Sequence, residues 1–201
     1  MNDTKTVSTR ERLLRAAAEL IQEGGYATAS VGAIAERAGL ATGALYRHFP
    51  SKAELFVEVF REAAERELAA MRAASARSAE FARRFEAVIH TYATGALRNR
   101  RLAWALVYEP VDPLVDAERL AYRRRYRDGM IELLREGLAA QAIPEQDVEL
   151  AAAAVVGAIA EALVGPLSPV AGRTPGEEEI IAAIIGFCAR AIGLDRGRPS
   201  R

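Results

Sequence analysis

Few residues of this chain are of a kind that does covalent chemistry. There are two histidines, His48 and His90, and one cysteine, Cys188. One cysteine excludes an intrachain disulfide and a cysteine zinc cluster, and two histidines make a zinc site improbable. On a helical projection Phe81, Phe85, Val88 and Tyr92 share one face and His90 lies opposite, so His90 reads as a solvated side chain. Glu86 stands four residues before it, not the three of a di-iron Glu-x-x-His, and no second such pair exists. No nucleophile–base pair or glycine-rich phosphate loop is evident either. The expectation is no enzyme, no metal and no cofactor.

The residues suited to non-covalent chemistry cluster in AERAGLATGALYRHFPSKAEL, residues 35 to 55. Two short helices joined by a tight turn at Gly39 make a helix-turn-helix, whose second helix can lie in a major groove. Leu45 and Phe49, four apart, point inward on that helix, which leaves Thr42, Gly43, Ala44, Arg47 and His48 outside. Small residues at 42 to 44 let its N-terminus approach base edges. Tyr46, Arg47 and His48 can reach flanking phosphates, with the Tyr46 ring half-packed while its hydroxyl reaches out. Lys52 sits in the first turn of the next helix, whose N–H groups also attract phosphate. Thr28 and Ser30 add hydroxyls near the start of the first of the two helices. Residues 1 to 52 carry seven Lys or Arg against five acids, a modest positive excess.

Helices must position these groups, and the pattern is helical almost throughout, so the fold class is all-α. Ser8 with Glu11, Ser51 with Glu54 and Thr174 with Glu177 have the spacing of capping boxes, and Pro175 reads as a first-turn proline. Asp112-Pro113 repeats the cap-then-proline signal. The first helix should run from about residue 9 to 23 and end at Gly24-Gly25. Short helices should follow Ser30 and Gly39, and another should start at Ser51 and pass Leu68. Later helices are expected at roughly 79–97, 101–108, 113–140, 145–164 and 175–192, about nine in all. Gly165 to Gly172 reads as a loop, and the tail as disordered. The apolar runs are broken by charge before the ~20 residues of a membrane span. The first residues have no apolar stretch behind their charges, so they do not read as a signal peptide.

Beyond residue 55 the informative residues are aromatic. Trp104 and Tyr108, with Phe85, Tyr92, Tyr122 and Tyr126, are expected to wall a cavity for a mainly hydrophobic or aromatic effector. Arg123 and Arg127 flank the Leu120/Leu134 face and are candidates for an anion partner. Glu109 is either a polar anchor or a surface acid. The helix of residues 113–140 has two apolar faces, Tyr122/Tyr126/Met130/Leu133 and Leu120/Ile131/Leu134/Leu138, and so should be packed on both sides. The last two long helices carry apolar stripes with many small residues. Val155, Ile159, Leu163, Ile181, Ile184, Ile185 and Cys188 are therefore expected to build a two-fold homodimer interface, with Cys188 a core residue.

The N-terminal quarter resembles the DNA-binding domain of the TetR/AcrR family of bacterial transcriptional regulators. The likeness runs from the first helix through Gly25-Tyr26, Ser30-Val31, Ile34-Ala35, Ala38-Gly39-Leu40, Gly43, Leu45-Tyr46, His48-Phe49 and Ser51-Lys52 to Leu55. The resemblance implies that the remaining helices form an effector-binding and dimerising domain. The family commonly has hydrogen-bonding or charged residues where this chain has Ala29, Gly32, Ala41, Thr42 and Ala44. Base readout is therefore expected to lean on methyl contacts and groove shape.

The whole composition fits. The chain has 201 residues, 51% of them hydrophobic and 27% charged, a globular balance, and a net charge of +0 excludes coating nucleic acid through bulk charge. The domains are expected at 1–55 for the helix-turn-helix, 56–195 for the effector and dimer domain, and 196–201 for the tail. The function expected is a sequence-specific DNA-binding regulator, a cytoplasmic repressor relieved by a hydrophobic effector. Its two recognition helices should sit about 34 Å apart on a palindromic operator. The alternatives are a helical protein-interaction adaptor and an all-helical enzyme.

Overall fold

The computed structural model describes residues 8–109, 112–170 and 175–194. Nine helices and no strand occur among the described residues: α1 (Thr9–Gly24), α2 (Val31–Arg37), α3 (Gly43–His48), α4 (Lys52–Ser75), α5 (Phe81–Arg98), α6 (Arg100–Val107), α7 (Pro113–Ala139), α8 (Val148–Leu167) and α9 (Glu177–Ala191). The cap chemistry sets many of these bounds. At α1 the Ser8 hydroxyl accepts from Glu11 N at 3.2 Å while the Glu11 carboxylate accepts from Ser8 N at 2.8 Å. Ser51 Oγ accepts from Glu54 N at α4, and Asp112 Oδ1 from Leu114 N just inside α7. At α8 the Asp147 carboxylate takes the amides of Glu149 and Leu150, which starts that helix at Val148.

Two expected ends differ. Gly176 caps α9 and Glu177 begins it, so Pro175 precedes the cap; Thr174 lies outside the described residues, as does the tail. Helix α8 continues through Gly165 and Pro166 to Leu167, where a loop was expected. Pro166 forfeits one amide bond, but Ser168 N closes the turn on Val164 O at 3.0 Å. Leu167, 4% exposed, anchors that last turn in the core. By length and composition α8 is also apolar enough to cross a membrane, although Glu149 and Glu161 interrupt its apolar run as expected, and 28% of its most apolar stretch is buried. Its buried residues pack on α5 and α9.

The chain forms two compact units. The first comprises residues up to Ala63 together with Arg101–Arg119. The expected boundary at residue 55 thus falls inside α4, and α6 belongs with α1–α3 apart from its first residue. Its core is Leu13, Leu14, Ala17 and Ile21 of α1, Ile34 and Ala35 of α2, Leu45 and Phe49 around α3, Leu55 and Phe56 of α4, and Ala105 of α6, none more than 2% exposed. The second comprises Ala64–Arg100 and the residues from Leu120 onward. Here α5, α8 and α9 pack on one another through Phe85, Ile89, Val155, Leu163, Ile181 and Cys188. Helix α7 adds Tyr122, Met130, Leu133 and Leu134 to this core. Its second apolar face is only partly closed, since Leu120 is 58% exposed.

Candidate nucleic-acid interface

Helix α2 begins at Ser30, whose extended backbone lets its Oγ accept from Ala33 N at 3.2 Å. It ends in a Schellman motif: Gly39 N donates to Glu36 O, and Leu40 N to Ala35 O, each at 2.9 Å. Gly39 has φ +66°, the left-handed conformation this motif requires and glycine adopts without strain. Arg12 of α1 then pins the turn, its Nη2 donating to Ala38 O at 2.5 Å and reaching Gly39 O at 3.4 Å. Helix α3 follows at once. Leu45 and Phe49 anchor it from below, and the Arg10 guanidinium lies 5.0 Å from the centre of the Phe49 ring.

Thr42, Gly43, Tyr46, Arg47 and His48 are exposed along α3 and its cap. Thr42 makes no side-chain cap bond, so its hydroxyl and methyl face outward unspent. Tyr46 is 58% exposed, more open than the half-packed ring expected. Ala44 was expected outside but is 9% exposed, packed beside Leu45; a helix this short has one inward stripe, and positions 44 and 45 share it.

Two further expectations change. Thr28 Oγ1 is directed at the carbonyls of Leu20 and Gly25, at 3.1 and 2.9 Å, so its proton caps the end of α1 instead of awaiting a phosphate. Lys52 is turned into the protein. Its Nζ donates to Tyr26 O at 2.7 Å and sits 3.8 Å from the centre of the Tyr26 ring. Burial there lowers the ammonium pKa, against the opposing pull of the Glu109 charge.

The same turn reveals residues that the sequence reading did not place. Arg101 Nη2 donates to Gly24 O at 2.7 Å, Glu109 Oε2 accepts from Tyr26 N at 2.8 Å, and Arg101 and Glu109 pair at 3.1 Å. Gly25, at φ +85°, leaves room for that clamp, because a Cβ there would lie 2.1 Å from Arg101 Nη2. Arg119 in turn donates to the carbonyls of Ala105, Leu106 and Glu109. Glu109 thus ties this turn down, across 83 residues of sequence from its partner Tyr26. No local pattern signals such a contact.

The expected aromatic wall divides between the units. Trp104 and Tyr108, ring centres 5.2 Å apart, belong to the first unit. In the second, Tyr92 and Tyr126 meet edge to face at 5.7 Å, and Phe85 is shut in the core against Phe81. Tyr122, 5% exposed, donates its hydroxyl to Glu65 at 2.7 Å. Tyr126 donates to the Glu67 carboxylate in a short hydrogen bond. Arg123 and Arg127 are exposed, Arg127 lying 3.9 Å from Asp128. A separate open groove of about 390 Å³ in this unit is lined by Arg77, Ser78, Arg83, His90 and Thr91, with His90 Nδ1 3.3 Å from Thr94 Oγ1.

The residues expected at a dimer interface are all inside their own unit. Val155, Ile159, Leu163, Ile181, Ile184, Ile185 and Cys188 range from 0% to 7% exposed. The most apolar stripes of α8 and α9 pack on each other and on α5, and burial raises the Cys188 thiol pKa to about 11. Beside their exposed acids and Arg190, these two helices leave outside the apolar residues Leu150, Ala153, Ala154 and Ala162 of α8, and Ala182, Ala183, Phe187 and Ala191 of α9.

Residues 13–59 match the family model for bacterial regulatory proteins of the tetR family. The transcriptional repressor KstR of Rhodococcus jostii is 46% identical over 57 residues, which are 28% of this chain and 27% of that protein. The match therefore spans about a quarter of that relative's length. Over nearly the whole chain the fold is that of the fatty acid degradation regulator FadR of Bacillus halodurans, with a TM-score of 0.79 at 21% identity, covering 97% of this chain and 100% of that one. FadR of Bacillus subtilis, solved in complex with stearoyl-CoA, gives 0.77 at 22% identity over 90% of this chain and 98% of its own. The segment that matches the tetR family of bacterial regulatory proteins is thus centred on α2 and α3, and the fold around it is all-helical.

Proposed function

We propose that this protein is a cytoplasmic one-component repressor, a homodimer that holds a palindromic operator and releases it on binding a mainly hydrophobic small molecule. The observation that carries the reading is the outer surface of α3. Thr42 and Gly43 stand at its start and Tyr46, Arg47 and His48 along it, over a fixed turn. Arg47 enters no ion pair among the described residues, whereas Arg10, Arg12 and Arg37 are each engaged by carboxylates or carbonyls. That leaves Arg47 as the cation of α3 for a phosphate, with Ser30 able to donate its proton to another while its oxygen caps α2. The partner of the apolar α8/α9 surface is a second copy, because Phe187 and Leu150 are 55% and 68% exposed among alanines that let helices approach closely. Stearoyl-CoA in the related fold, a ligand with a long hydrocarbon chain, supports an apolar effector body.

Selection of binding sites by the full chain from random duplexes, followed by anisotropy titration across salt concentrations, tests this reading. The expected result is an enriched palindrome bound with a steep salt dependence. An unenriched pool, or binding indifferent to salt, would point to a protein-docking module instead.

A further inference from the structure

The second unit holds one carboxyl group whose surroundings differ from those of its paired acids. Glu65, Glu136 and Glu177 each meet an arginine, respectively Arg125, Arg84 and Arg100. Glu67 meets none among the described residues. Its hydrogen-bonding partner is the Tyr126 hydroxyl, and Tyr126 in turn stands edge-on to Tyr92. The carboxyl is half-buried in the seam of α4, α5 and α7. One approach is open: Gly95 on α5 is exposed, and a Cβ built on it would meet only Glu67 Oε1, at 3.7 Å. The missing side chain at Gly95 therefore leaves a notch at Glu67 Oε1, with Tyr126 on the carboxylate's other oxygen and Tyr92 against the Tyr126 ring.

We propose that this notch is the head-group subsite of the effector and that the head group is a cation, an amine or ammonium on an apolar body. The proposal rests on the effector reading above and adds the charge of the ligand. A carboxylate supplies the counter-charge, and aromatic rings beside it stabilise a cation without competing for it. An anionic head would meet the Glu67 charge and no compensating arginine. Desolvation holds the Glu67 carboxyl up to about 7, the direction expected of an acid that has lost water and gained no cation. A bound ammonium at Oε1 would supply that missing charge while the Tyr126 hydroxyl stays on Oε2.

The test uses the full chain and three probes with the same apolar body: 4-phenylbutylamine, 4-phenylbutanol and 4-phenylbutyrate, titrated by calorimetry at neutral pH. The amine should bind at least about tenfold more tightly than the alcohol, and the carboxylate more weakly than either. Glu67→Gln should erase the preference of amine over alcohol. Gly95→Leu, which fills the notch and keeps the carboxyl, should weaken the amine as well. Equal binding of amine and alcohol, or a preference that survives Glu67→Gln, overturns the cation site and leaves the apolar effector reading standing. No binding by any of the three up to millimolar concentration overturns both.

Discussion

Both units have apolar cores, but they differ in what many of their cations hold. In the first, arginines and a lysine grip backbone carbonyls: Arg12 on Ala38, Arg101 on Gly24, Lys52 on Tyr26, and Arg119 on three at the end of α6 and just beyond it. In the second, three apolar helices pack face to face, and the cations pair with side chains at the margins, as Arg84 does with Glu136 and Arg100 with Glu177. The difference shows where each unit can offer a surface to a partner. Where most cations are consumed by the fold, Arg47, exposed on α3, is the one that the proposed function gives to an anion. Where the richest apolar stripes are consumed by the fold, the poorer stripe left over, with Phe187 and its alanines, marks a surface for protein.

The largest expected effect separates those two uses of an apolar residue. Phe187→Arg should leave the chain folded, convert a dimer to a monomer in sedimentation, and weaken operator binding by about 10² or more, since two linked half-sites become one. Ile184→Arg should instead unfold the second unit, because a charge would replace a side chain 6% exposed. If both variants stay folded and dimeric, the interface lies elsewhere on the molecule.

That pair also shows what the sequence makes legible. Helical periodicity reports the apolar side of α8 and α9, and the apolar side faces α5 of the same chain. The side proposed for a second copy, by contrast, is small and only weakly apolar, which periodicity cannot distinguish from solvent-facing alanine. The helix-turn-helix was readable because its signals are local: a cap at Ser30, a turn at Gly39 and the inward pair Leu45 and Phe49. The inward turn of Lys52 was not readable, for the opposite reason. Its partner Tyr26 is 26 residues away and Glu109 is farther still, and no spacing rule connects them. The aromatic set suffered similarly: Trp104 and Tyr108 are near Phe85 in sequence but pack in the other unit.

Protonation gives the next effect in size. Glu67 has its carboxyl pKa raised from 4.5 to about 7 by burial, with the Tyr126 hydrogen bond opposing. A carboxyl raised on folding stabilises the fold fully below its unfolded pKa, and that contribution is lost as pH rises from about 4.5 through 7. Thermal melts should therefore show the protein less stable at pH 8 than at pH 5 by up to about 2–3 kcal/mol from this group. Glu67→Gln should flatten that window. A variant with the wild-type profile would show that the carboxyl is satisfied in its ionised form.

Smaller again is Arg47→Ala. One exposed phosphate contact contributes about 1 kcal/mol, so operator affinity should fall roughly fivefold with no loss of stability. The salt slope should decrease by about one, as one fewer counterion is released. Substitutions at Thr42 should instead alter which duplex is preferred, because its side chain is unspent and lies where α3 begins. If Arg47→Ala lowers the melting temperature and keeps the slope, Arg47 belongs with Arg12 and Lys52 as a structural cation.

The smallest effect on DNA is expected from Lys52→Met, and it probes the comparison from its other side. Methionine keeps an apolar stem against the Tyr26 ring but removes the ammonium that holds Tyr26 O at 2.7 Å. Loss of that charge-assisted bond should cost about 1–2 kcal/mol of stability, read as a lower melting temperature. Glu109 should retain its bond to Tyr26 N and its pair with Arg101, so the turn should hold its shape. The DNA salt slope should then stay at its wild-type value, because the Lys52 ammonium faces the protein and releases no counterion on binding. A slope reduced by about one, with the melting temperature unchanged, would show that Lys52 leaves Tyr26 to meet a phosphate, and that this cation serves the partner and not the fold.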